Sequence, residues 1–173
     1  ESWEITGAGT VYTSTLREGL RFSDGSPVTA EDFKWSWERA ANPDTGSTVA
    51  AIYLGDIVGI SDISEGNTFA AAGIEVIDDR TLRVTVDEPK PYFIAKLTYP
   101  AAFVLKRENV EAGGKQWTEN PIGTGSFVLD DYRVGERIVF SPTRTSTAAR
   151  RTSTKSSSTL PVASPWPCTR RMR

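Results

Sequence analysis

Residues 73–92 read GIEVIDDRTLRVTVDEPKPY, the most regular pattern in this 173-residue chain. Ile74 and Val76 alternate with polar neighbours before Asp78, Asp79 and Arg80, and Leu82, Val84 and Val86 alternate with Thr81, Arg83 and Thr85 after them. Successive side chains on a strand point to opposite faces, so the segment predicts a β-hairpin with one apolar face that needs a cover. Glu88, Pro89, Lys90 and Pro91 stop the second strand. Pro91 suits the first turn of a short helix that turns Phe93, Ile94 and Leu97 inward.

Upstream, Val11–Leu16 (VYTSTL) is β-branched and aromatic and predicts a strand, with Gly7 and Gly9 before it. Phe22 runs into Asp24, Gly25, Ser26 and Pro27, a turn by composition. Thr29 then fits a helix N-cap with Asp32 as its returning partner, and Glu31 places negative charge where the helix dipole favours it. Phe33, Trp37, Ala40 and Ala41 share one face of that helix, which Asn42 and Pro43 end. Trp35 projects from the other side and is expected to pack under a neighbouring segment. The apolar stretch 49–60 is interrupted by Gly55 and Gly59 and its pattern fixes no structure; 61–67 reads as a polar loop. Downstream, 101–105 predicts a short strand and 107–112 a short helix. The run PIGTGSFVLDDYRVGERIVFS (121–141) predicts a second hairpin, with Phe127 and Leu129 facing Ile138 and Phe140. Strands mixed irregularly with short helices predict an α+β fold with a mixed sheet, not a βαβ repeat.

With 38% hydrophobic and 24% charged residues the chain can bury the core of one domain. It has no histidine and one cysteine, Cys168, which excludes Ser/His/Asp and Cys/His catalytic sets, His-rich metal sites and an internal disulfide. No run approaches the ~18 apolar residues of a membrane span. The opening ESWEITGAG has no signal-peptide pattern, as if the chain were already processed or cut. The net charge of −2 is unevenly spread: all 22 acidic side chains lie in 1–140 against 13 of the 20 basic ones, while 141–173 holds the other seven and no acid. That tail carries seven Ser and seven Thr without period, and is expected to be disordered.

The chemical motifs have plainer readings beside them. Asp78/Asp79 and Asp130/Asp131 resemble acid/base pairs, yet neighbours on a strand face opposite ways and both pairs sit at predicted turns. Gly123-Thr124-Gly125 lacks the GK[ST] of a phosphate loop and fits a backbone bend. The basic tail with Trp166 offers an alternative function, a small module binding nucleic acid or an acidic partner.

From Leu16 to Ala40 (LREGLRFSDGSPVTAEDFKWSWERA) the sequence resembles the family 5 solute-binding proteins of bacterial ABC importers, which capture oligopeptides, dipeptides, nickel chelates and some oligosaccharides. The resemblance continues in order through 73–92, through 96–111, and through PIGTGSF at 121–127, where the family usually has PIGTGPF; Ser126 replaces the proline. It implies a type II periplasmic-binding-protein-like (cluster C) fold, of which 1–142 is a partial first lobe. It further implies a non-enzymatic receptor, periplasmic or extracellular, that takes a peptide or other small solute and presents it to an ABC permease of the inner membrane. No cofactor, metal or nucleic acid is implied, and a monomer is expected. Tyr53 is the first candidate ligand contact, because an aromatic with a polar tip suits peptide backbones. Trp117 is the second and Thr124, in the GTG bend, the third.

The family would continue after GERIVF with a motif resembling NxxYxGKPxLDEI, which 143–173 lacks. If one base is restored near Thr143, each new codon shares two bases with the printed ones, and residues 143–160 permit NEDLYRGKAYLDEVVFNL. The tail is therefore expected to be out-of-frame translation, with no function in its charge. A single lobe offers half a cleft, so the chain alone is expected to be binding-deficient.

Overall fold

The computed structural model describes residues 2–133 and 135–143; the first three residues of the tail are ordered, Ser141 and Pro142 in a strand and Thr143 hydrogen-bonded to the 125–126 carbonyls, and 144–173 lie outside the described residues. The strands are β1 (Ser2–Thr6), β2 (Val11–Thr15), β3 (Ile74–Asp78), β4 (Thr81–Thr85), β5 (Phe127–Arg133) and β6 (Arg137–Pro142). The helices are α1 (Ala30–Ala41), α2 (Ala50–Leu54), α3 (Ile60–Ser64), α4 (Phe93–Lys96) and α5 (Arg107–Gly113). The first four strands form one sheet in the order β1-β2-β4-β3, and β5 and β6 form a separate ribbon. The class is α+β as expected, and every pairing among the described strands is antiparallel, so the expected mixed sheet contains no parallel pair there. Among the described residues no helix is long and apolar enough to cross a membrane.

The hairpin at 74–85 has the register its alternation requires, Ile74 opposite Val84 and Val76 opposite Leu82. Leu82, Val84 and Val86 are each 3% exposed or less, and each such burial contributes about 1.5–3 kcal/mol. The cover is the helical layer, in which Trp37, Leu54, Ile60, Ile63 and Phe93 complete one continuous core. Helix α1 starts where the sequence places it: the backbone N–H and the hydroxyl of Thr29 both donate to the Asp32 carboxylate, at 2.7 and 2.9 Å. Before it, Phe22 is buried and the turn is closed by Phe22 N–H on the Ser26 carbonyl and by Ser26 N–H on Asp24.

Three segments differ from the sequence reading. The expected strand at 101–105 is a 3-10 turn (Pro100–Ala102) followed by irregular chain. Its backbone groups are taken by side chains of α1: Trp37 Nε1 donates to the Ala102 carbonyl at 2.8 Å, and Leu105 N–H donates to Ser36 Oγ at 2.9 Å. The expected loop at 61–67 begins inside α3, because Ile60 and Ile63 are buried and fix one helical turn. Gly59, before it, has φ +87°, and a Cβ there would meet the Ala72 nitrogen at 2.7 Å. Strand β1 has no counterpart in the sequence reading. All five of its residues are exposed, so its pattern carries no burial signal, and it is held by pairing with β2 across the turn at Gly7–Gly9.

Candidate functional site

Tyr53 stands on α2, and Ser47 Oγ, ahead of the helix, accepts from Ala50 N–H at 3.2 Å. Its ring, half-buried, lies flat on Tyr99, with centroids 3.7 Å apart and planes within 4°. Beside this stack Asp56 accepts from Lys90 at 2.9 Å and from Lys96 at 2.5 Å, and Lys90 also reaches Asp87 at 2.8 Å. Lys96 donates further to the Ile52 carbonyl at 3.0 Å and sits 5.4 Å from the Tyr92 ring centre. Burial pushes the Asp56 carboxyl up, but the two ammonium groups outweigh it and leave the group below its ordinary value. Lys90 is raised by Asp56 and then Asp87. The network ties α2, the exit of β4 and α4 together and holds the backbone under Tyr53 in place.

Trp117 belongs to a 3-10 segment, Gly114–Glu119, that crosses toward α1. Arg39 lies 5.7 Å from its ring centre and 6.0 Å from that of Trp35, and Arg107 lies 5.8 Å from Trp35. Indole faces attract guanidinium groups by about 0.5–1 kcal/mol at exposed sites. The alternation of Arg107, Trp35, Arg39 and Trp117 therefore fastens α5 and the 114–119 segment to α1. Trp35 thus packs under neighbouring side chains, as its sequence position suggests.

Thr124 is exposed in the loop before β5. The carbonyls of Gly123, Gly125 and Ser126 accept from Ser23 N–H, Thr143 Oγ1 and Thr143 N–H, at 2.8, 2.9 and 2.9 Å. A phosphate cradle needs converging N–H donors, whereas this loop spends its carbonyls on fastening the bend. The aspartate pairs are turn and ribbon residues as well. Asp78 accepts from Arg80 N–H at 2.8 Å, and Asp131 pairs with Arg137 at 2.6 Å and Arg133 at 3.3 Å.

Tyr53 stacks on Tyr99, Trp117 meets Arg39, and Thr124 lies in the exposed loop before β5. Thr118 and Gly123, the neighbours of Trp117 and Thr124, line a hollow of about 330 Å³ with Phe127, Leu129, Tyr132 and Phe140. The sequence marks the apolar alternation of that hairpin but not the hollow, because its other wall comes from the 118–123 segment. Tyr99 and the Asp56 network are likewise absent from the sequence reading, having no local periodicity. Among the described residues, every buried side-chain nitrogen or oxygen has a hydrogen-bond partner, so no buried polar group waits for a ligand.

The described residues form an α+β sheet layer with bracing helices and an open apolar ribbon, the architecture of part of a lobe. Residues 1–144 match the bacterial extracellular solute-binding proteins, family 5 Middle, and the chain belongs to that family. The periplasmic oligopeptide-binding protein OppA of Escherichia coli is 39% identical over 168 residues, which is 95% of this chain and 31% of that protein. Among solved structures, Haemophilus influenzae OppA in complex with RPPGFSPFR superposes with a TM-score of 0.80 at 32% identity, over 87% of this chain and 30% of that one. The E. coli murein tripeptide binding protein MppA gives 0.74 at 34% identity, over 82% of this chain and 28% of that one. The chain thus spans under a third of the length of these relatives and forms part of a lobe.

Proposed function

We propose that this chain is part of the solute-capturing receptor of an ABC importer, that its ligands are peptides, and that it works outside the cytoplasmic membrane without chemical turnover. The observation that carries the reading is the match over 87% of the chain to a relative solved with the peptide RPPGFSPFR. A receptor of this kind acts by closing two lobes around its solute, and ligand favours the closed state only through differential contacts with both. Tyr53 is the first contact on this lobe. Its stacked, braced ring presents a rigid apolar surface with a phenolic donor, which orders little on binding a peptide. Trp117 and Thr124 are secondary contacts. The receptor is a monomer without cofactor and delivers to an inner-membrane permease.

Two measurements test this. Replacing the matched region of E. coli OppA with residues 1–142 should leave peptide affinity within about tenfold, or 1.4 kcal/mol; a folded chimera that takes no peptide refutes the reading. The 173-residue chain alone should give no binding heat with the same peptides at micromolar concentration, and saturable binding there would contradict the need for two lobes.

A further inference from the structure

Arg39 stands near the end of α1, half-buried, with its guanidinium carbon over two indole rings, 6.0 Å from the centre of Trp35 and 5.7 Å from that of Trp117. The other half-buried arginine, Arg83, pairs with Glu75 at 2.8 Å. Among the described residues the Arg39 guanidinium has no carboxylate partner and no hydrogen-bond acceptor. Indole rings attract the cation, while its five N–H donors lie in the guanidinium plane and point outward from its edge. The protein has thus drawn a charge partly out of water and left its hydrogen-bonding capacity unspent.

The neighbours hold this geometry before any partner arrives. The Arg39 carbonyl accepts from Thr45 Oγ1 at 2.7 Å, which fixes the backbone at the helix end. Asn120 N–H donates to the Trp117 carbonyl, and Asn109 Nδ2 donates to the Asn120 carbonyl, each at 3.2 Å, tying the Trp117 segment to α5. Gly113 lies close enough that a Cβ there would come within 2.8 Å of Trp117 Cβ. Ordering that a partner would otherwise have to impose is already in place.

We infer that Arg39, with Trp35 and Trp117, forms a binding site for a single carboxylate group carried by a polypeptide. The planar fork matches carboxylate and phosphate alike, so charge decides between them. Residues 1–140 carry 22 acidic against 13 basic side chains. Arg107, the next cation on Trp35, is paired with Glu111 at 2.7 Å, and Glu108 and Glu31 add negative charge around it. A field of that sign repels a doubly charged phosphate more than one carboxylate. An Asp or Glu side chain and a chain end offer the same group. Recognition here is independent of the proposed receptor role and needs no ligand at Tyr53.

The test follows the indole N–H signals of the 173-residue chain by NMR at constant ionic strength. Acetyl-Gly-Asp-Gly-amide should shift Trp35 and Trp117 saturably at millimolar concentration, and leave Trp37, bonded to the Ala102 carbonyl in the core, unmoved. The uncharged acetyl-Gly-Asn-Gly-amide should shift none of them. Acetyl-Gly-Gly-Gly with a free carboxyl end separates the two sources: a lower midpoint than the Asp peptide assigns the site to chain ends, a higher one to side chains. Arg39→Gln should raise the midpoint by about tenfold or more, and Arg39→Lys, which keeps the charge without the fork, by several-fold. Arg17→Gln, at an exposed arginine, should leave it unchanged. An equal response to the Asn peptide, tighter binding of inorganic phosphate, an unchanged midpoint in either Arg39 variant, or no saturable shift would each overturn the site.

Discussion

Replacing Trp37 with phenylalanine isolates the contact that decides the shape of residues 100–105. The indole is 4% exposed on α1, and its Nε1 donates to the Ala102 carbonyl at 2.8 Å inside the core. Phenylalanine keeps an aromatic ring but leaves that acceptor without its donor, at a cost of about 1–3 kcal/mol. The smaller ring also forfeits two buried carbons, near 2 kcal/mol at ~0.8 kcal/mol per methylene-sized group. The sum is about 3–5 kcal/mol. With a urea slope of about 2 kcal/mol/M, the unfolding midpoint followed by circular dichroism should fall by roughly 1.5–2.5 M with the slope unchanged. The matched control is Trp35→Phe, which weakens only the stacking with Arg39 and Arg107 and should cost under about 1 kcal/mol. Equal losses for the two variants would refute the claim that a buried donor on α1 holds this segment out of a strand.

Asp24 is held down to about 2 by the hydrogen bond from Lys106, then by Ser26. Its folded value lies below the unfolded one near 3.9, so its stabilisation is complete above about pH 4 and lost as pH falls toward 2. Lys106→Met should return the Asp24 titration toward the ordinary range, read by carboxyl NMR; an unmoved titration overturns the pairing. Asp56→Asn removes the carboxylate charge shared by Lys90 and Lys96 and should cost about 2 kcal/mol, between exposed and buried ion pairs, or a midpoint fall of about 1 M in urea; a fall under about 0.25 M counts against the network. Gly59→Ala forces both a positive φ and a backbone collision, and should cost more than about 1 kcal/mol by the same urea assay; a neutral result would mean α3 can shift freely. For the tail we propose loss of one base near codon 143. Sequencing the locus should reveal codons for a continuation like NEDLYRGK after restoration, and an intact printed frame with similar tails in related genes would refute it.

How much of this was legible follows from where the determining contacts lie. The capping of α1 by Thr29 and Asp32 joins residues three apart, and the hairpin at 74–85 joins strands across a short turn, so both are written locally. The irregular path of 100–105 is set by Ser36 and Trp37, more than sixty residues away, which no window over the segment contains. The same limit hid the surroundings of the candidate contact. Tyr53 could be picked by side-chain type, but its partner Tyr99 and the Asp56 brace come from elements that only tertiary packing brings together.

The two hairpins make the limit concrete. Both alternate, and both therefore declare an apolar face in need of a cover. On β4 that face is closed by helices from the same lobe, with Leu82 and Val84 at 3 and 2% exposure. On β5 and β6 it stands open, with Phe127 and Phe140 at 60 and 52%. Alternation states that a face must be buried; what buries it depends on chain elsewhere. The second hairpin thus shows that alternation marks an apolar face equally well where the described residues leave it open.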